Sequence, residues 1–303
     1  MTRNRLNGLR SELGQMTALM AVSIVALCAM GAFVVDVGSW FRAHRATQSV
    51  ADSAALAGAQ KLPLSTSDAQ ALAQEYGDKN GGGITQIQFG SNTFANDTIS
   101  VRAERVAPGF LSNVLGIASV NVKADATARA WNLGSAKYAG PFAVDRAHPM
   151  LSGPGCPCFN QPTELDLKKV GPGAFRIVNI DGTHGGVGQK IISDWIMQGF
   201  DGYMGLGWFY SDPGAKFNPG PIEDALTARM GSELLFPVYD SVRAQGAGFE
   251  YRIVGWVGFR LTGFDGHGNN SVLQGSFTSV VWEGMPSESG DDFFGATVVK
   301  LVA

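Results

Sequence analysis

Gly14 to Lys61 reads GQMTALMAVSIVALCAMGAFVVDVGSWFRAHRATQSVADSAALAGAQK, and the rest of the chain is organised around it. Met16 to Val35 holds no charged residue. At about 1.5 Å per residue this run covers roughly 30 Å, the thickness of a bilayer's hydrocarbon core, and is expected to be a membrane helix. Gly31 and Gly38 are single small residues and no proline precedes Pro63, so the helix should continue past Trp40. Trp40 and Phe41 are of the type that settles at a membrane interface, and Arg42, His44 and Arg45 follow in the headgroup zone. Beyond them, Ala51, Ala55 and Ala59 recur every fourth position, as do Ala54 and Gly58. That spacing lets one helix face approach another backbone closely. Asp36, at the outer end of the apolar run, needs a partner if buried. Two readings stand for it: a bundle contact or assembly determinant, and an interfacial acid reaching water.

Several short motifs sit in this stretch: Gly14-Gln15 before the apolar run, Val35-Asp36-Val37-Gly38, Trp40-Phe41-Arg42, and Gln48-Ser49-Val50-Ala51-Asp52-Ser53-Ala54-Ala55-Leu56-Ala57-Gly58-Ala59. Together they resemble the N-terminal region of TadE/TadG-like proteins of the bacterial tight-adherence (Flp) pilus system. The resemblance is close over the first sixty residues or so and looser over Asp68 to Ala130 and Leu235 to Asp240. It implies a membrane-bound pilus-assembly component. Major pilins of that family carry Glu five residues after the processing site; a cut after Gly14 would put Leu19 there.

Composition bounds the remainder. A chain of 303 residues is long for one core, so the anchor is expected to carry two soluble lobes. With 40 glycines and 16% charged residues, those lobes should be rich in turns and short strands. The net charge is −3, and since residues 1–61 hold six Lys/Arg against three acids, the outer body carries −6. An acidic body argues against nucleic acid as a partner. Arg3, Arg5 and Arg10 precede the apolar run against Glu12, whereas Arg42 and Arg45 follow it. This slight bias favours a cytoplasmic N-terminus and an extracytoplasmic bulk. The competing reading is a signal peptide cut near Ala29-Met30-Gly31, but the apolar run is long for that and passes into a helical pattern, so the N-terminus is expected to be retained.

The fold class expected is α+β: a long N-terminal membrane-anchor helix (1–61), a small α+β lobe (62–137) and a larger β-rich extracytoplasmic domain (138–303). Pro63 stops the first helix, and Ser65 to Asp68 offers caps for a second, Asp68 to Lys79. Thr98 to Val106 and Val120 to Trp131 alternate as half-buried strands, with a short helix, Gly109 to Gly116, between them. From Tyr138 the prolines and glycines suggest a linker or an irregular lead-in. Phe175 to Asp181 reads as a strand, and Gly188 to Gly199 and Pro221 to Gly231 as helices. Leu234 to Asp240, Tyr251 to Thr262 and Ser271 to Trp282 read as strands of an antiparallel sheet, which Thr297 to Val302 would close.

Chemistry is sparse. Cys28 lies mid-membrane, where a thiol is an ordinary apolar filler. For Cys156-Pro157-Cys158 three readings stand: a disulfide, free thiols, and a metal pair completed by His148 or His184. Zinc motifs place two to four residues between paired cysteines, which disfavours the last. His148, His184 and His267 lie in Gly- or Pro-rich stretches and read as turn residues; Asp265 to Asn270 reads as a hairpin loop, and Asp291-Asp292 as a solvated acidic loop. No nucleophile elbow, zincin motif or phosphate-binding loop occurs.

The function expected is therefore a membrane-anchored, pilin-like, non-enzymatic component of pilus assembly or secretion. Its assembly and anchor residues would be Asp36, Trp40, Ala51, Ala55 and Gly58, its partners the bilayer and other pilus-assembly proteins, and no cofactor is expected. The alternatives are a tethered metal-dependent enzyme using Cys156, Cys158 and a histidine, or a tethered ligand-binding module. Trp195, Trp208 and Trp256 exposed together at a groove would favour the module, and their burial would count against it.

Overall fold

The computed structural model describes residues 5–167, 175–212, 220–245, 248–265, 271–287 and 292–302. Arg3, His267 and Asp291 therefore lie outside the described residues, as does most of the loop from Asp265 to Asn270, and the side chains of Arg5 and Arg10 are likewise not described. The fold is α+β, with one long apolar helix and a β-rich remainder.

Helix α1 spans Arg5–Ala59 without a break. It ends where Gln60, Lys61 and Leu62 donate to the carbonyls three residues back, tightening the last turn before Pro63. Helix α2, Thr66–Lys79, starts at Ser65, whose hydroxyl accepts from the Asp68 amide at 3.1 Å. After the Gly81-Gly82-Gly83 turn come β1 (Ile84–Gly90), β2 (Thr98–Pro108) and β3 (Ser119–Ala136). The short helix expected at Gly109 to Gly116 is a single 3-10 turn, Ser112–Leu115. Strand β1 carries no clear sequence signal, because Ile84-Thr85-Gln86-Ile87-Gln88-Phe89 is mostly exposed at a sheet edge and breaks the strict alternation of a half-buried strand.

The outer part of α1 and α2 lie on the sheet β1-β2-β3. Val50, Ala51, Ala54, Ala55 and Ala59 share a core with Ala69 and Ala73 of α2, Ile99, Val101 and Ala103 of β2, and Ala124, Ala126, Ala128 and Ala130 of β3. Alanine on both surfaces brings helix and sheet backbones close. Each buried methyl contributes only about 0.8 kcal/mol, so this core depends on the fit.

The larger part follows as β4 (Phe142–Asp145), α3 (Pro149–Ser152), β5 (Pro162–Asp166), β6 (Phe175–Ile177), α4 (Gln189–Gln198), β7 (Met204–Gly205), β8 (Gly207–Tyr210) and α5 (Pro221–Ala228). Then come β9 (Glu233–Gln245), β10 (Gly248–Asp265), β11 (Val272–Thr278), β12 (Val280–Val281), β13 (Gly284–Pro286) and β14 (Ala296–Val302). A second sheet runs β5-β11-β10-β9-β4-β6, antiparallel except for the parallel β4–β9 pair. Tyr251, Ile253, Val257, Phe259 and Leu261 of β10 are buried in its core with Phe236, Phe277, Ile192, Trp195, Ile196 and Leu226. The Pro/Gly-rich stretch after Tyr138 is no linker, since Phe142, Ala143 and Val144 are fully buried there.

Two strands are placed differently from expectation: Ser271 to Trp282 breaks after Thr278, and its last part, β12, leaves the larger sheet to pair in parallel with β14. Thr297 to Val302 does not close the larger sheet; β14 pairs antiparallel with β3, Val298 opposite Trp131 and Val302 opposite Thr127. β3 thus pairs β2 through its first part and β14 through its second, while Leu133 and Ala136 at its end enter the larger core. One continuous strand, ending at Ala136, joins the two cores, and β14 returns to it from the far side of the boundary expected at residue 137.

Candidate functional site at the junction of the apolar helix and the lobe

From Met16 to Val34 the apolar side chains of α1 are largely exposed, Met16, Met20, Val22, Val25, Leu27 and Phe33 among them, and Val35 borders a groove shared with Phe110. The helix is long and apolar enough to cross a membrane. Cys28, exposed on the same span, is a free thiol.

At Asp36 the surroundings change abruptly. Its side chain is 1% exposed and does not reach water. One carboxylate oxygen accepts from the Phe110 amide at 3.0 Å and the Leu111 amide at 3.3 Å; the other accepts from Leu111 at 3.0 Å and from Ser112. Three successive N–H groups at the start of a 3-10 turn form a concave anion seat, and the carboxylate fills it. One turn along the same helix face, Trp40 Nε1 donates to the Pro108 carbonyl at 3.3 Å. Asp36 and Trp40, four residues apart, thus hold the loop between β2 and β3. The loop is shaped for this: a Cβ on Gly109 would lie 2.2 Å from Ser112 Oγ and 2.5 Å from the Ile117 carbonyl, and Gly116 takes a φ of +85°. The partner that Asp36 required is a stretch about 74 residues away, too remote for sequence spacing to identify.

The other expected assembly residues have partners within the chain. Ala51 and Ala55 are fully buried in the lobe core. A Cβ on Gly58 would stand 2.6 Å from Ile99 Cδ1, 2.9 Å from the Ala69 carbonyl oxygen and 3.1 Å from Ala73 Cβ. The close approach that the small residues permit is to α2 and β2 of the same chain. No face of Ala51, Ala55 or Gly58 is open to a neighbouring helix.

Cys156 and Cys158 are joined as a disulfide with Cα atoms 4.5 Å apart, so neither offers a thiolate to a metal. His148 is buried, its Nδ1 accepting from the Met150 amide at 3.1 Å and its ring edge-on to Phe277. His184 is exposed against Tyr210. Among the described residues no group of three or more His, Cys, Asp or Glu could hold a metal ion. Trp195 and Trp256 are buried, and only Trp208 is partly open, stacked under the Arg243 guanidinium at 4.2 Å.

Sequence reading missed one polar cleft of about 600 Å³, lined by Arg146, Asp240, Arg252 and Asp292 with Leu206 and Ile253. Its charges answer one another: Arg252 grips Asp240, Arg146 stands 3.7 Å from Asp240, and Arg146 also pairs with Asp292. The Arg252 hydrogen bonds hold the Asp240 carboxyl below the usual range. The four residues come from β4–α3, β9, β10 and the segment before β14, so only the tertiary fold assembles them.

Residues 14–61 match the family described as Flp pilus-assembly TadE/G-like (Tad). The match covers α1 from the start of the apolar run to just past its end. No curated protein and no solved structure matches the chain.

Proposed function

We propose that this chain is a single-pass, non-enzymatic, pilin-like component of Flp/Tad-type pilus assembly or secretion, held in the bacterial inner membrane with its N-terminus cytoplasmic and its body extracytoplasmic. The observation that carries it is the family match over 14–61, laid on a helix whose Met16–Val35 part is exposed while its continuation is built into a lobe. A helix divided in this way is both tether and structural spine. The Cys156–Cys158 disulfide supports an oxidising outer compartment for the body. Other pilus-assembly proteins are its partners; with the small-residue face occupied, they would meet the exposed span in the membrane or the outer body.

The test is genetic and topological. In the source bacterium, deleting the chain should reduce surface pili, the intact chain should restore them, and a chain lacking only the apolar span 16–35 should not. External protease should reach the body in spheroplasts while the extreme N-terminus stays protected. Unchanged piliation on deletion, or a body protected from outside, would refute the reading.

A further inference from the structure

From Val106 to Val122, across the turn between β2 and β3, the chain has no charged residue. Within that run Val106, Phe110, Leu111, Val114 and Ile117 are exposed, Phe110 to 62% and Val114 to 85%. The end of a hairpin in water is normally polar, and clustered exposed apolar side chains mark a surface made for something other than water.

The hairpin's path along α1 points to what covers it. Gln48 donates to the Asp125 carbonyl at 3.0 Å, Trp40 to Pro108, and Asp36 receives the amides of Phe110 to Ser112. Between Gln48 and Asp36 the helix rises about 18 Å, so β2 and β3 run down the helix toward its apolar span. Their turn stops beside the first residue after Val35, at the outer end of that span. Val35, Arg42 and Phe110 line a groove of about 430 Å³ between helix and loop, and Arg42 follows the apolar side chains about two helical turns beyond Val35. The order apolar tip, arginine, polar lobe is that of a membrane interface. A carboxylate at this depth would be costly if left to poorly hydrated surroundings, and Asp36 is fully supplied with N–H donors from the loop itself.

We propose that the β2–β3 loop is a second membrane contact: Phe110, Leu111, Val114 and Ile117 sit in the interfacial layer of the bilayer that α1 crosses, with Arg42 level with the lipid phosphates. This rests on the reading of Met16–Val35 as the spanning segment. Two attachments, one through the bilayer and one on its surface, fix the tilt of the lobe where a lone helix would let it swivel. The ligand is the phospholipid bilayer itself.

The experiment uses the full chain in vesicles of phosphatidylethanolamine and phosphatidylglycerol, without reductant so that Cys156–Cys158 stays closed. An environment-sensitive fluorophore is placed on Val114→Cys, or on Leu64→Cys at the far end of the lobe, each in a Cys28→Ser background; a third sample carries it on native Cys28. Both substituted sites are exposed, so the fold should tolerate them. The Val114→Cys label should be quenched by lipids doxylated near the headgroup, and aqueous iodide should quench it several-fold less than the Leu64→Cys label. Equal iodide quenching at the two sites would put the loop in water and overturn the proposal. Shielding from iodide without quenching by doxylated lipid would show that protein covers the loop, and would overturn it too. The Cys28 label reports the anchor independently: if lipids doxylated at mid-chain do not quench it, the spanning reading itself fails, and this inference with it.

Discussion

At Gly58 the space for a side chain is already filled, by Ile99 of β2 and by the backbone and Cβ atoms of α2. Gly58→Leu should therefore destabilise the lobe by about 1–3 kcal/mol through overpacking, read as a lower melting temperature of the detergent-solubilised chain, with membrane insertion unchanged. Loss of crosslinking to pilus proteins at unaltered stability would instead return this position to an intermolecular face. Asp97 offers a second test. Its buried carboxylate pairs with Arg129 at 3.1 Å and accepts the amides of Asn92, Thr93 and Phe94. Burial by itself would raise its pKa, but the Thr98 hydroxyl and these amides outweigh it and hold the group below its ordinary value. A depressed carboxylate contributes stability in full above the unfolded value of about 3.9, and loses that contribution as pH falls through the lower folded value. Asp97→Ala should cost about 3–5 kcal/mol at neutral pH, because it leaves Arg129 without its buried partner, and should flatten the acid limb of a stability–pH curve. An acid limb unchanged from wild type would rule this out.

Between elements, the attachment of the β2–β3 turn to α1 depends on two side chains. In Asp36→Ala the amides of Phe110, Leu111 and Ser112 lose their acceptor, so hydrogen exchange at those three positions should accelerate while Ile99 to Ala107 keep their protection from the β2–β3 ladder. Uniform acceleration through both strands would mean that the carboxylate supports the whole lobe and not just the turn. The disulfide is a smaller constraint. With a single residue between its cysteines, loop entropy assigns it about 1.5 kcal/mol, so replacing both Cys156 and Cys158 by Ser should lower stability by roughly that amount and leave membrane location unchanged.

For the whole molecule, β3 and β14 carry the coupling. β14 covers the edge of β3 from Thr127 to Asn132 and places Val298 in the larger core. Removing residues 296–303 strips that edge and both cores lose support, so calorimetry should show a single transition shifted down. Two separated transitions, the lower one from the larger core alone, would show that the cores fold independently of this strand. α1 is itself unbroken from the apolar span into the lobe core, so a force or tilt applied at the span reaches the sheet without passing a flexible joint.

Local periodicity was enough for much of this. The uncharged run Met16 to Val35, the proline-free continuation of α1, the Ser65 cap, the alternation of Thr98–Val106 and Val120–Trp131, and the apolar face of Tyr251–Leu261 each announce their element through neighbours a few residues away. The family match over residues 14–61 rests on such local signals too. Partners distant along the chain were another matter. That Ala51, Ala55 and Gly58 approach α2 and β2 and not a second molecule, that Asp36 receives amides from Phe110 to Ser112, that β14 returns to β3, and that Arg146, Asp240, Arg252 and Asp292 share a cleft are all outcomes of folding. A small-residue face shows only that a backbone can come near, and a buried acid only that donors must exist. Which backbone and which donors is decided when the chain closes on itself, because packing is satisfied by whatever surface fits, at any separation in sequence.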